Sequence, residues 1–148
     1  MSQLRTDAIV DADGTGAPEF TNGLSSQGTI KLDGNYPVGT GNVALGDTAL
    51  GDASLSGGGL VAVGTDALSA NTSGNSNTGI GYQSGQSLTT GGDNTAIGRA
   101  SLNSTTTGGN NTALGRDTLR SNTTASNNTA VGYQSLYANT TGVGNVAV

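Results

Sequence analysis

Apolar positions recur along this chain at one long, fixed interval and never at helical spacing. The core Asn-Thr-Ala-aliphatic-Gly starts at Asn42, Leu60, Asn77, Asn94, Asn111, Asn128 and Asn145, with a first interval of 18 residues and five further intervals of 17. Biased composition scatters residues without holding a register, so the period marks a structural repeat. The third position of the unit reads Ala44, Ala62, Gly79, Ala96, Ala113, Ala130 and Ala147, and the fourth reads Leu45, Val63, Ile80, Ile97, Leu114, Val131 and Val148. Gly46, Gly64, Gly81, Gly98, Gly115 and Gly132 follow. Four residues beyond each of these stand Leu50, Leu68, Gly85, Leu102, Leu119 and Leu136, with Leu88 close to the one exception.

A unit of 17 residues is too short for a pair of helices, and its Gly and Asn clusters break it into two short strands joined by turns. Stacked units predict an all-β fold, a parallel β-solenoid (β-roll) of 17-residue rungs. Alternation along the first strand puts Thr and the aliphatic residue on one face, Asn and Ala on the other. The expected core is therefore the aliphatic column Leu45, Val63, Ile80, Ile97, Leu114 and Val131 meeting the column Leu50, Leu68, Leu102, Leu119 and Leu136 inside the coil. Equivalent residues lie about 4.8 Å apart in such a stack, close enough for ladders of Asn and Thr, and Gly after the aliphatic residue permits positive φ at the corner. The solenoid is expected over residues 42–148, preceded by a transition over 29–41 with one strand from Thr29 to Leu32. It stops at "GNVAV", one residue before the next corner Gly, so the natural chain is expected to continue.

Composition explains why the repeat must carry the fold. Of 148 residues 26 are Gly, none is Cys, His or Trp, and only 32% are apolar, too few to fill a compact core of ordinary size. Disorder would require more charge and Pro than the 10% charged residues and the two prolines, Pro18 and Pro37. The net charge of −5 disfavours nucleic acid and anionic membranes, and Arg99, Arg116 and Arg120 are the only basic residues after Lys31. No segment is long and apolar enough for membrane insertion, and the opening lacks the basic and apolar regions of a signal peptide, so synthesis and assembly in a cytoplasm are expected.

A coil with two aliphatic columns buries little apolar surface for the backbone it orders, and a single copy is expected to be marginal. The Ala, Gly and Asn face would let an identical backbone approach closely. Parallel, in-register association about a threefold axis, a homotrimer, is the expected remedy.

The segments "NTAIGRASL", "NTALGRDTL" and "NTAVGYQSLYANTTG" resemble the head repeats of trimeric autotransporter adhesins, and more closely their relatives in bacteriophage tail fibres, which often precede a self-cleaving intramolecular chaperone domain. The resemblance covers residues 42–148 and implies a homotrimeric, left-handed parallel β-roll. The period is longer than that of adhesin heads. The opening "LRTDAIVDADGTGAPEFTNGL" resembles the N-terminal segment by which phage fibre proteins plug into the virion, which implies an irregular attachment segment over residues 1–28 carried by Leu4, Ile9, Pro18, Phe20 and Leu24. The function so implied is that of a structural subunit of a phage tail fibre, located in the virion. Its N-terminus would dock to other tail proteins, and its stiff trimeric stalk would present a distal region for a host glycan or protein. The alternative is an adhesin whose repeats themselves contact a cell-surface or glycan ligand.

Candidate chemistry is sparse. "DADGTG" from Asp11 to Gly16 begins like a calcium loop, but Asn22 stands where a bidentate Glu is required, so a turn is expected and no metal site. Without His or Cys there is no nucleophile–base dyad, and no Gly-Lys-Ser/Thr phosphate cradle occurs, so neither an enzyme nor a cofactor is expected. Asp47, Asp66 and Asp117 read as solvated turn acids. Ice binding needs a flat Thr array. Thr78, Thr95, Thr112 and Thr129 do stack, but they share the face assigned to the core, and Val43, Val61 and Val146 interrupt them. The position after the corner Gly varies beside fixed columns, which marks an outward strip. Its Tyr82, Arg99, Arg116 and Tyr133 are the candidate surface contacts.

Overall fold

The computed structural model describes residues 41–52 and 54–148. The expected attachment segment with Leu4, Ile9, Pro18, Phe20 and Leu24, the Thr29–Leu32 strand and the "DADGTG" turn lie outside the described residues.

Seven strands follow one another: β1 Val43–Leu45, β2 Val61–Val63, β3 Thr78–Ile80, β4 Thr95–Ile97, β5 Thr112–Leu114, β6 Thr129–Val131 and β7 Val146–Ala147. They form one sheet in chain order, every neighbour parallel and in the register of the repeat: Ala96 pairs with Ala113, and Ile97 with Leu114. Each rung returns to its starting point one step higher, so the chain is the β-solenoid of 17-residue rungs that the period predicts. Seven strands at this spacing extend roughly 30 Å.

Each rung carries one strand, not two. The return half runs as consecutive turns, yet its backbone still bonds between rungs: Leu102 N–H donates to Thr118 O at 3.0 Å, and Thr106 N–H to Thr123 O at 2.8 Å. This path requires left-handed residues. Besides the corner glycines, Leu50, Leu68, Leu102, Leu119 and Leu136 have φ between 48° and 50°, and Asp66, Gln83, Ala100, Asp117 and Gln134 have φ between 54° and 58°. Such residues cannot extend a strand, and each costs about 1–2 kcal/mol in isolation, so the neighbouring rungs hold them there.

The faces of the strand are the reverse of the sequence expectation. Ala62, Ala96, Ala113 and Ala130 are buried, whereas Leu45, Ile80 and Ile97 are 47%, 37% and 38% exposed, and Val63, Leu114 and Val131 are half-buried. The aliphatic column therefore lies outside the coil. The Leu column lies inside, with Leu50, Leu68, Leu102 and Leu119 buried and Leu136 packed against them in part. Width is the reason: the strand stands so close to the Leu column that only Ala or Gly fits between. Ala62, Ala96, Ala113 and Ala130 are buried in the same clusters as the Leu residues, so a larger side chain at that level would overpack the coil.

The same geometry explains the unit that departs from the pattern. Gly79 replaces the Ala and Gly85 replaces the Leu in one rung, and Leu68 from the rung before leans into the space both leave: a Cβ on Gly85 would lie 2.7 Å from Leu68 Cδ2. Gly85→Leu, which restores the residue usual at that position, should therefore destabilise the fold by about 1–3 kcal/mol through overpacking. Chemical denaturation of the variant measures this, and an unchanged or raised midpoint would show that Leu68 does not fill the space.

Candidate interaction surfaces

What lines the coil leaves little for chemistry inside it. Asn42, Asn77, Asn94, Asn111 and Asn128 are buried and form a ladder. Asn111 Oδ1 accepts from the backbone N–H of Asn128 at 3.0 Å and from its Nδ2 at 3.2 Å, while Asn111 Nδ2 donates to Asn94 Oδ1 at 3.1 Å and to Ala125 O at 2.9 Å. Asn94 makes the same bonds to Asn77 Oδ1 and to the turn carbonyl of Gly108, and Asn145 makes the two to Asn128 Oδ1. Leu60 interrupts the ladder: its N–H still donates to Asn42 Oδ1 at 2.9 Å, but it has no side-chain acceptor to offer Asn77. These amides saturate one another, which explains why Asn can sit in a thin interior.

The corner glycine is required by contact as well as by torsion. At Gly98 φ is 128°, and a Cβ would lie 2.5 Å from Gly115 O in the next rung. Side chains of the next position are thereby thrown outward in a column at rung spacing. Tyr82, Arg99, Arg116 and Tyr133 occupy it and are all exposed, as the sequence variation there predicts. The Arg99 guanidinium lies 5.9 Å from the Tyr82 ring centre, and that of Arg116 lies 5.5 Å from Tyr133. Arg116 Nε also donates to Asp117 Oδ2 at 3.1 Å, and Arg120 approaches Asp117 Oδ1 at 3.4 Å.

The acids are not uniformly solvated. Asp117 is buried between its two arginines, with a side chain only 4% exposed, contrary to its reading as a free turn acid. Asp66 accepts from the Thr48 hydroxyl. The exposed Asp52 carboxylate accepts from Ser54 Oγ at 2.5 Å and Ser54 N–H at 2.7 Å, and these bonds hold its pKa below the usual carboxylate value.

The outer face of the sheet is continuous from rung to rung. Leu45, Val63, Ile80, Ile97, Leu114 and Val131 run along it in one file, and Val43, Val61, Thr78, Thr95, Thr112, Thr129 and Val146 run beside them in a second. The Ala and Asn face, expected to admit a neighbouring backbone, is the lining of the coil and is closed to one. The Thr residues point away from the coil interior, so sharing a face with the core is no objection to a regular Thr array; the valines still break it. The signal for this inversion was present in the sequence: the smallest side chains and the fixed Asn belong where space is least. Comparison of the chain with protein-family models, with curated proteins and with solved structures finds no match.

Proposed function

We propose that this chain is the subunit of a stiff trimeric stalk in a phage tail fibre, docked to other virion tail proteins through residues 1–28 and carrying a distal host-recognition region. The observation that bears most on this reading is the file of aliphatic side chains on the outer face of every rung. A monomer seldom leaves a contiguous apolar strip of this length in water, and such strips mark interfaces. The file runs parallel to the coil axis and presents the same chemistry at each level, so identical copies set side by side in register would bury it along its length. Three copies about an axis would close the file without leaving a free edge. The interface thus assigned is the aliphatic and Thr face, not the Ala and Asn face. The assignment to a phage fibre rests on the resemblance of the repeats and of the Leu4–Leu24 segment; a mechanical, non-catalytic role agrees with a sequence that contains neither His nor Cys.

Light scattering on the full chain should give three times the mass of one copy. Replacing two outward residues, Ile97→Asp with Leu114→Asp, should abolish association by placing carboxylates in a buried interface, whereas Arg99→Ala should leave the mass unchanged. Leu102→Asp should unwind the coil itself, costing more than about 4 kcal/mol. A stable monomeric wild-type chain would remove the interface. Separately, antibody raised against residues 42–148 should label the tail fibres of purified particles in electron micrographs; labelling confined to bacterial surfaces would transfer the chain to an adhesin.

A further inference from the structure

All the basic side chains of the described residues, Arg99, Arg116 and Arg120, fall in two successive rungs at one corner, although the chain as a whole is acidic. Around them stand Tyr82 and Tyr133, one rung below and one rung above the Arg99–Arg116 pair, so that the corner strip reads Tyr, Arg, Arg, Tyr at steps of about 4.8 Å. Both tyrosines are exposed, Tyr82 at 45%. Each arginine leans over its neighbouring ring, which restricts the guanidinium before any ligand arrives. Arg99 has no carboxylate partner among the described residues, and Arg116 uses only its Nε edge on Asp117, leaving terminal donors free.

We propose that this strip is a binding site for a carboxylated saccharide. Its two guanidiniums would take the carboxylate, and an exposed tyrosine ring would carry the apolar face of the sugar. The chemistry selects this class. Two adjacent planar forks at rung spacing suit a carboxylate better than a single point charge would. Flanking rings offer a flat apolar platform that an inorganic anion cannot use. A long polyanion such as a nucleic acid is disfavoured, because three cations cannot hold many phosphates and the net charge of −5 repels the remainder. The strip spans three rung steps, about 14 Å, the length of a short oligosaccharide. It lies on the corner, two residues beyond the aliphatic file, and therefore adds a lateral contact to a stalk whose principal recognition is assigned elsewhere.

Isothermal titration of the full chain with glucuronic acid, with a glucuronic acid oligomer and with the corresponding glucose oligomer tests this, with inorganic sulfate as a further arm. Saturable binding of the acidic sugars is expected, with none by the neutral oligomer and weaker binding of sulfate. Tighter binding of the oligomer than of the monomer would identify a glycan chain lying along the rungs, and equal binding would identify a single acidic residue. The double variant Arg99→Gln, Arg116→Gln should weaken binding at least about tenfold. Tyr133→Ala should weaken acidic sugar but leave sulfate unchanged, a difference that loss of folding would not produce. The proposal is overturned if no acidic sugar binds, if the neutral oligomer or sulfate binds as well, or if the double variant binds like the wild type with an unchanged circular dichroism spectrum. Failure here leaves the mass of the assembly untouched, so it is separable from failure of the stalk.

Discussion

The interior of the coil depends on buried Asn side chains hydrogen-bonded from one rung to the next. Asn111 shows the requirement in full: its oxygen serves the backbone and side chain of Asn128 while its nitrogen reaches Asn94 and the turn carbonyl of Ala125. Asn94, Asn111 and Asn128 are thus bonded through the neighbouring rungs, and an unmade bond there would cost about 1–3 kcal/mol, whereas the buried Asn71 on the return half has no partner for its side-chain oxygen or nitrogen. The ladder holds the register of the strand: even across the one 18-residue interval Val43 pairs with Val61 and Ala44 with Ala62, so the extra residue is taken up outside the strand. Where Leu60 takes the Asn position, the unit beginning there is also preceded by the one 18-residue interval.

A lining of Asn and Ala makes the coil narrow, and narrowness decides where branched side chains go. The Leu column on the return half finds room within, held by backbone in the left-handed region, and Leu55, Leu60 and Leu88 are buried there too. The Ile, Leu and Val of the strand are left on the outer face, where they add nothing to the interior of their own coil. In the proposed trimer, fold and association would be coupled through one constraint. The coil excludes the residues that a neighbouring copy could bury, and the proposed trimer is the arrangement in which that exclusion becomes useful.

The sequence showed the period, the parallel stacking, the inward Leu column and the corner glycines, because each is a fixed column at a constant interval. Which strand face turns inward was signalled only by the fixed Asn and the small side chains, against the hydrophobic reading. Alternation at Thr95, Ala96 and Ile97 defines two faces without naming the buried one, and hydrophobicity alone favours Ile97 over Ala96. Space reverses that choice. The left-handed Leu residues were equally hidden, since nothing in their side chains favours positive φ; the turn path imposes it. Asp117 is buried beside Arg116 and Arg120 of its own rung, and this local pairing is not repeated at Asp66 in the same column, so the period carried no sign of it. The Tyr and Arg strip was legible as variation beside fixed positions, whereas its ring–guanidinium pairing needed the rung spacing to be seen.

The ladder of inward Asn can be tested by amide hydrogen exchange, resolved residue by residue by nuclear magnetic resonance. The backbone N–H groups of Asn94, Asn111 and Asn128, each bonded to a buried side-chain oxygen, should be among the slowest to exchange in the chain. Exchange of these amides as fast as that of residues on the exposed turns would mean that Asn does not line the coil, and the inside and outside of every rung would have to be reassigned.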